Sequence, residues 1–128
     1  VNHPSAVWCR QSDANYQFLY NLLVELCKEY TFRYGKTHKC QEIGLVDALK
    51  QTPFNIPIKS FTEPTPAMPD HCKVSGDSIK SYRNYYHQEK SRMWSWKGKI
   101  NSRERPKWLS NMIMDELNKI NEELGLVY

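Results

Sequence analysis

Twenty-two consecutive residues, Asp13 to Tyr34, contain neither Gly nor Pro. They predict one unbroken helix of about 33 Å, long enough to cross a small domain. Ser12 or Asp13 suits its N-cap, and Gly35 stands where a helix usually stops. Tyr16, Leu19, Tyr20, Leu23, Leu26, Cys27, Tyr30 and Tyr34 recur at helical spacing, and Phe18, Leu22 and Val24 widen that face. The polar stripe is narrow: Gln17, Asn21, Glu25 and Lys28. A helix apolar over most of its circumference is expected to be central and covered by others. Glu29 and Arg33 lie four apart at the edge of the apolar face and can pair. They flank a turn carrying Lys36 and His38, so this end of the helix is either a site or a fold-locking ion pair beside solvent.

The rest of the chain predicts helices and no strand. Pro4 to Gln11 suits a short helix opened by Pro4, with Val7 and Trp8 inward and Arg10 outward. Cys40 to Lys50 gives a second short helix. Residues 51–72 hold Pro53, Pro57, Pro64, Pro66 and Pro69, a density that forbids regular helix. Phe54, Ile56, Ile58, Phe61 and Met68 are expected to pin this connection to the core. A helix starting at Ser75 or Asp77 runs to Lys90 or Met93, with Ile79, Tyr82, Tyr86 and Met93 inward. The last helix, from Pro106 or Ser110 to Leu124, has an apolar face of Leu109, Met112, Ile113, Leu117, Ile120 and Leu124. The expected fold is all-α: a single domain of four to five helices around the long one, with a long proline-rich connection.

At 128 residues the chain can bury a real core. No apolar run approaches membrane-spanning length. The four cysteines, Cys9, Cys27, Cys40 and Cys72, show no paired spacing and are expected to be reduced, in a cytosolic protein. Charge is unevenly spread: residues 1–72 are neutral, 73–107 carry +7 and 108–128 carry −3. A basic middle segment points to a local anionic partner. Within it, residues 80–99 join cations to aromatics: Lys80, Arg83, His87, Lys90, Lys97 and Lys99 to neutralise phosphates, Tyr85, Trp94 and Trp96 to stack. Equally, Tyr82, Tyr86 and Trp94 suit a core with solvated lysines around it.

Candidates for acid–base work are Glu29, Glu89, His3 and His38. Imine chemistry at a sugar C1′ needs an unprotonated amine, for which Lys36 or a free N-terminal amine is available. His38, Cys40, His71 and Cys72 have zinc-type side chains. However, adjacent His71 and Cys72 are not expected to turn to one ion, so neither metal nor cofactor is expected. No phosphate loop, GxSxG or HExxH is present, so nucleotide hydrolysis, triad hydrolysis and metalloprotease chemistry have no support.

The pattern Asn2-His3-Pro4-Ser5-x-x-Trp8-x-Arg10, Asn15-Tyr16, then Glu29-Tyr30-Thr31-x-Arg33-Tyr34-Gly35-Lys36-x-His38 resembles a family of phage and marine-virus proteins. Ala67-Met68-Pro69-Asp70 and Tyr82-Arg83-Asn84-Tyr85-Tyr86-x-x-Glu89-Lys90 continue the likeness, which covers about residues 2–109. Members carry a segment ahead of the NHP motif, so a missing N-terminal piece is expected. Residues 110–128 would be a helical extension. That family in turn resembles the pyrimidine-dimer DNA glycosylases of the endonuclease V type, small all-α proteins that excise damaged bases and cleave the abasic strand. The resemblance implies DNA repair in an infected host's cytoplasm, with duplex DNA on the 80–99 stretch and a pocket lined by Arg10, Arg33, Lys36 and His38. The amine and early-helix glutamate of that chemistry match no position here, so binding is implied more strongly than catalysis. The alternatives are a protein-interaction module, an inhibitor or adaptor of a host nucleic-acid enzyme using residues 110–128, or an enzyme on modified nucleotides built on Glu29, Arg33 and His38.

Overall fold

The computed structural model describes residues 2–125. Val1, with its amine, and the last three residues of the expected extension lie outside them. The fold is all-α, a single domain of six helices, with no strand among the described residues. These are α1 (Pro4–Cys9), α2 (Asp13–Tyr34), α3 (Lys39–Glu42), α4 (Leu45–Ala48), α5 (Ser78–Glu89) and α6 (Lys107–Glu123). Single 3-10 turns stand at Asp70–Cys72 and Ser91–Met93.

The long helix forms as its local chemistry dictates. Ser12 accepts a bond from the Asn15 amide at its start, and left-handed Gly35 ends it. The expected Cys40–Lys50 helix is instead two single turns, α3 and α4, parted at Gly44, whose φ of 83° no right-handed helix contains. This break raises the number of helices above the four to five expected. Asp77 caps α5 through the Lys80 amide. The last helix runs unbroken through Ser110 from Lys107, so no element boundary separates an extension there.

Burial departs more from expectation. Helix α2 is not sheathed: its buried residues are Asn15 and Cys27, while Phe18, Leu22 and Leu26 are 47%, 45% and 60% exposed. Its neighbours, α1 and α4, have only six and four residues and reach part of its circumference. An open apolar trough remains, lined by Cys9, Tyr16, Tyr20, Leu22, Leu26 and Leu49 among others. Accessible surface totals 9855 Å², against about 7,100 Å² for a typical folded monomer of 15.2 kDa. Helix α5 buries Ser78 and Ser81, whereas Ile79, Tyr86 and Met93, expected inward, are exposed. On α6, Leu109 is buried but Leu117 and Ile120 are exposed, as is Leu124 at its C-cap. In α1, Trp8 is buried and Val7 is not.

The proline-rich connection is ordered by hydrogen bonds more than by apolar pins. Phe54 and Ile58 face solvent, 102% and 90% exposed. Prolines and extended backbone leave polar groups without a ladder, and the start of α2 supplies partners. The Asp13 amide donates to Pro57 O, and its carboxylate accepts from the Lys59 amide. Buried Asn15 donates to Trp8 O and Thr62 Oγ1, at 3.0 and 2.9 Å, and accepts from the Thr62 amide at 2.9 Å. Gln17 donates to Thr52 Oγ1. Phe61 alone of the expected pins stacks here, edge-on to Trp8 and tilted on Phe18.

Candidate nucleic-acid interface

An α-helix ends with carbonyls that have no intrahelical partner. At the end of α2 those carbonyls are taken by residues 98–101. The Ile100 amide donates to Arg33 O at 2.7 Å, and the Asn101 side chain to Phe32 O at 3.0 Å. The approach is close enough to demand glycine. A Cβ on Gly98 would sit 1.9 Å from Asn101 O and 2.6 Å from Arg33 O. The loop is also tied to itself, with the Gly98 amide on Ser102 Oγ and the Arg103 amide on Trp96 O.

Side chains complete the dock. Arg103 Nε donates to Glu29 Oε1 at 2.7 Å and lies over the Phe32 ring at 3.8 Å. Arg33 Nε stands 3.6 Å from the same carboxylate, and its Nη1 donates to Ser95 O. That Nε is buried without a hydrogen bond of normal length, because Arg103 has the carboxylate's closer contact. The Arg103 bond, then the nearby charges of Arg103 and Arg33, hold the Glu29 carboxyl below its ordinary range. A carboxylic acid tuned for proton donation near neutrality is shifted the other way. The pairing expected within the helix therefore exists as a triad reaching 74 residues along the chain.

The docked loop presents Trp94 and Trp96, ring centres 6.3 Å apart, both half-buried. Trp94 is fixed from behind: Nε1 donates to Tyr86 O and His87 stacks on its ring. Two adjoining hollows, of about 530 and 540 Å³, share Trp94, Ser95 and Trp96. Their cations are Arg33 and Lys90 in one, Lys97, Arg103 and Arg105 in the other. Arg105 lies 5.7 Å from the Trp94 ring centre.

The basic stripe expected along α5 divides between two surroundings. Lys90 lies over Tyr85 and lines one tryptophan hollow, Lys97 lines the other, and Lys99 is exposed two residues on. His87 is turned to α6 and pairs with Glu116 at 3.1 Å. Arg83 lies over Trp108, in a hollow shared with Lys80 and Asp77. Acidic α6 thus meets half of the stripe.

Of the remaining expected site residues, His3 caps α1 by accepting from the Ser5 amide. His38 caps α3 through the Cys40 amide, with its ring edge-on to Tyr30. Lys36 is exposed just beyond α2. Arg10 is the C-cap of α1, which docks on the first turns of α2. Glu29 is fourteen residues beyond Asn15 on that helix, about 21 Å. The structure therefore joins Glu29 to Arg33, leaves Lys36 and His38 near that end, and puts His3 and Arg10 at the other. Glu89 pairs with His71 at 2.6 Å.

Arg103, Arg105 and Ser95 were not among the expected site residues. The signal for them was the Gly98, Asn101 and Ser102 turn, whose partner on α2 is remote in sequence. All four cysteines are free. No described helix is long and apolar enough to cross a membrane. The chain matches no family model, no curated protein and no solved structure.

Proposed function

We propose that this protein binds DNA through the tryptophan loop docked on the end of α2. The observation that carries the reading is the coincidence of paired Trp94 and Trp96 with five cations around two hollows. Indole faces stack on bases or sugars, and the cations neutralise phosphates. The negative end of the α2 dipole favours cations at this place, so the loop's basic composition serves both its docking and its partner. Duplex DNA, the expected partner, would lie across Lys90, Lys97, Lys99 and Arg105. Its repair-like role, of the endonuclease V type in an infected cell's cytoplasm, rests on the motif resemblance alone.

Binding is favoured over cutting for this chain's own groups. Glu29 is ionised and shared between two guanidinium groups. Lys36 is exposed, whereas an amine nucleophile is usually activated by a dry pocket or a cationic neighbour. The test is a labelled duplex, intact or carrying a pyrimidine dimer or an abasic site, with borohydride trapping. Salt-sensitive binding of every duplex with no trapped adduct is the expected result. A trapped adduct on the abasic duplex overturns the non-catalytic assignment, and absence of binding overturns the DNA reading.

A second reading is supported by exposed Met114, Leu117 and Ile120 on acidic α6. Such a face suits a protein partner, the adaptor or inhibitor role. Salt-insensitive capture of one host protein, lost on truncation at Ser110, would favour it. An enzyme on modified nucleotides, built on Glu29, Arg33 and His38, has less support because His38 is committed to a cap.

A further inference from the structure

The 3-10 turn at Asp70–Cys72 brings two adjacent side chains to the last turn of α5, against the expectation that His71 and Cys72 diverge. A 3-10 turn advances faster per residue than an α-helix, and the buried thiol and exposed imidazole both border Glu89. One ligand atom each from His71, Cys72 and Glu89 lies within 4.8 Å of the other two. The other pair with zinc-type side chains, His38 and Cys40, is not part of this cluster, and His38 Nδ1 caps α3.

We propose that His71, Cys72 and Glu89 form a site for a divalent transition-metal ion, zinc by the chemistry of its ligands. Sulfur, imidazole nitrogen and carboxylate oxygen together suit zinc, and disfavour the hard cations that prefer all-oxygen sites. The three ligand atoms are already gathered within reach of one ion. Tetrahedral zinc needs its ligand atoms roughly 3.4–3.6 Å apart. His71 Nε2 and Glu89 Oε1, hydrogen-bonded at 2.6 Å, would part and the wider separations close as these two side chains, 57% and 40% exposed, rotate about the ion. The anchor does not have to move. Cys72 is fully buried, its carbonyl accepts from Asn84 Nδ2, and its Sγ is 3.6 Å from Gln88 Oε1. The ion enters from the solvent side, where His71 and Glu89 are open, and the thiol proton leaves as the metal–sulfur bond forms. Three protein ligands leave a fourth position to water. The bound ion would fasten the proline-rich connection to α5 one residue before Lys90.

The site predicts a thiolate-to-cobalt charge-transfer band when the full chain is titrated with Co²⁺. The band should saturate at one equivalent and vanish on adding Zn²⁺. His71→Ala and Glu89→Gln alter exposed side chains, and each should weaken Co²⁺ binding at least about tenfold, with the helical circular dichroism unchanged. Cys72→Ser should abolish the band, and Cys9→Ser/Cys40→Ser should keep it. Wild type with no thiolate band, or a band indifferent to both His71→Ala and Glu89→Gln, overturns the proposal. A band lost only in Cys9→Ser/Cys40→Ser does the same.

Discussion

Replacing Gly98 by alanine adds one methyl group and no charge, yet it strikes the contact that shapes the proposed interface. The new Cβ would lie 1.9 Å from Asn101 O and 2.6 Å from Arg33 O. Both are backbone atoms, so no rotamer change relieves the overlap. The loop must withdraw from the end of α2, breaking the bonds from Ile100 to Arg33 O and from Asn101 to Phe32 O. At about 0.5–1.5 kcal/mol each, their loss amounts to about 1–3 kcal/mol. The lower part of that range is expected, because the freed groups are near solvent and rehydrate. Global unfolding by urea should therefore shift modestly. Amide exchange should rise at Ile100, whose donor is bonded to Arg33 O in the dock, and at Arg103, whose bond to Trp96 O closes the loop that the dock holds. The tryptophan emission should shift red as Trp94 and Trp96 lose their seating, and DNA affinity should fall with net charge unaltered. A Gly98→Ala protein with wild-type exchange at Ile100 and wild-type DNA affinity would refute the dock as the organiser of the surface.

Three further outcomes follow from the same structure. Asn15→Ala should cost about 2–4 kcal/mol in urea unfolding, because Trp8 O and the Thr62 amide lose their buried partner; a change under about 0.5 kcal/mol contradicts that role. Glu29→Gln should loosen the loop, seen as faster exchange at Arg103, and reduce DNA binding without abolishing folding; unchanged exchange would return Glu29 to a role other than anchoring. Acid unfolding tests the lowered carboxyls. Glu29 and Glu63, the latter bonded by the Ser78 hydroxyl and amide, titrate below their ordinary 4.5. Groups with lowered folded values stabilise fully above their unfolded pKa, and that contribution is lost as pH falls through the folded one. Wild type should thus lose stability below about pH 4.5 more steeply than Glu29→Gln/Glu63→Gln, and parallel curves would remove the linkage.

Elements governed by neighbouring residues were legible in the sequence. The bounds of α2 follow from Ser12, a clean interior and Gly35, all local. Helices α5 and α6 follow for similar reasons, and the prolines correctly marked 51–72 as non-helical. Burial was less legible because it depends on what lies opposite. The broad apolar face of α2 implied a cover that short α1 and α4 do not provide, so Leu22 and Leu26 stay open. Phe54 and Ile58 looked like pins by hydropathy, but Asp13, Asn15 and Gln17 hold the connection by hydrogen bonds across 35 or more residues. At the candidate site, spacing identified the Glu29–Arg33 pair and the basic, aromatic composition of 82–99. It did not reveal that Arg103 completes the pair, because that contact exists only when the loop folds back on α2. Nor did it separate His87, paired with Glu116 behind the Trp94 ring, from Lys90, which lines the tryptophan hollow.

The most direct test of DNA binding by the tryptophan loop is the salt dependence of affinity for a labelled duplex. Wild type would be measured beside Lys90→Glu/Lys97→Glu/Arg105→Glu. With Lys90, Lys97, Lys99 and Arg105 on phosphates, log affinity should fall against log salt with a slope of about −3 to −4. That is a loss of about a hundredfold between 50 and 200 mM salt, and the variant should not bind at the higher concentration. Wild type and variant equally inert, or binding equally with a flat salt response, would contradict the account and turn attention to the exposed face of α6.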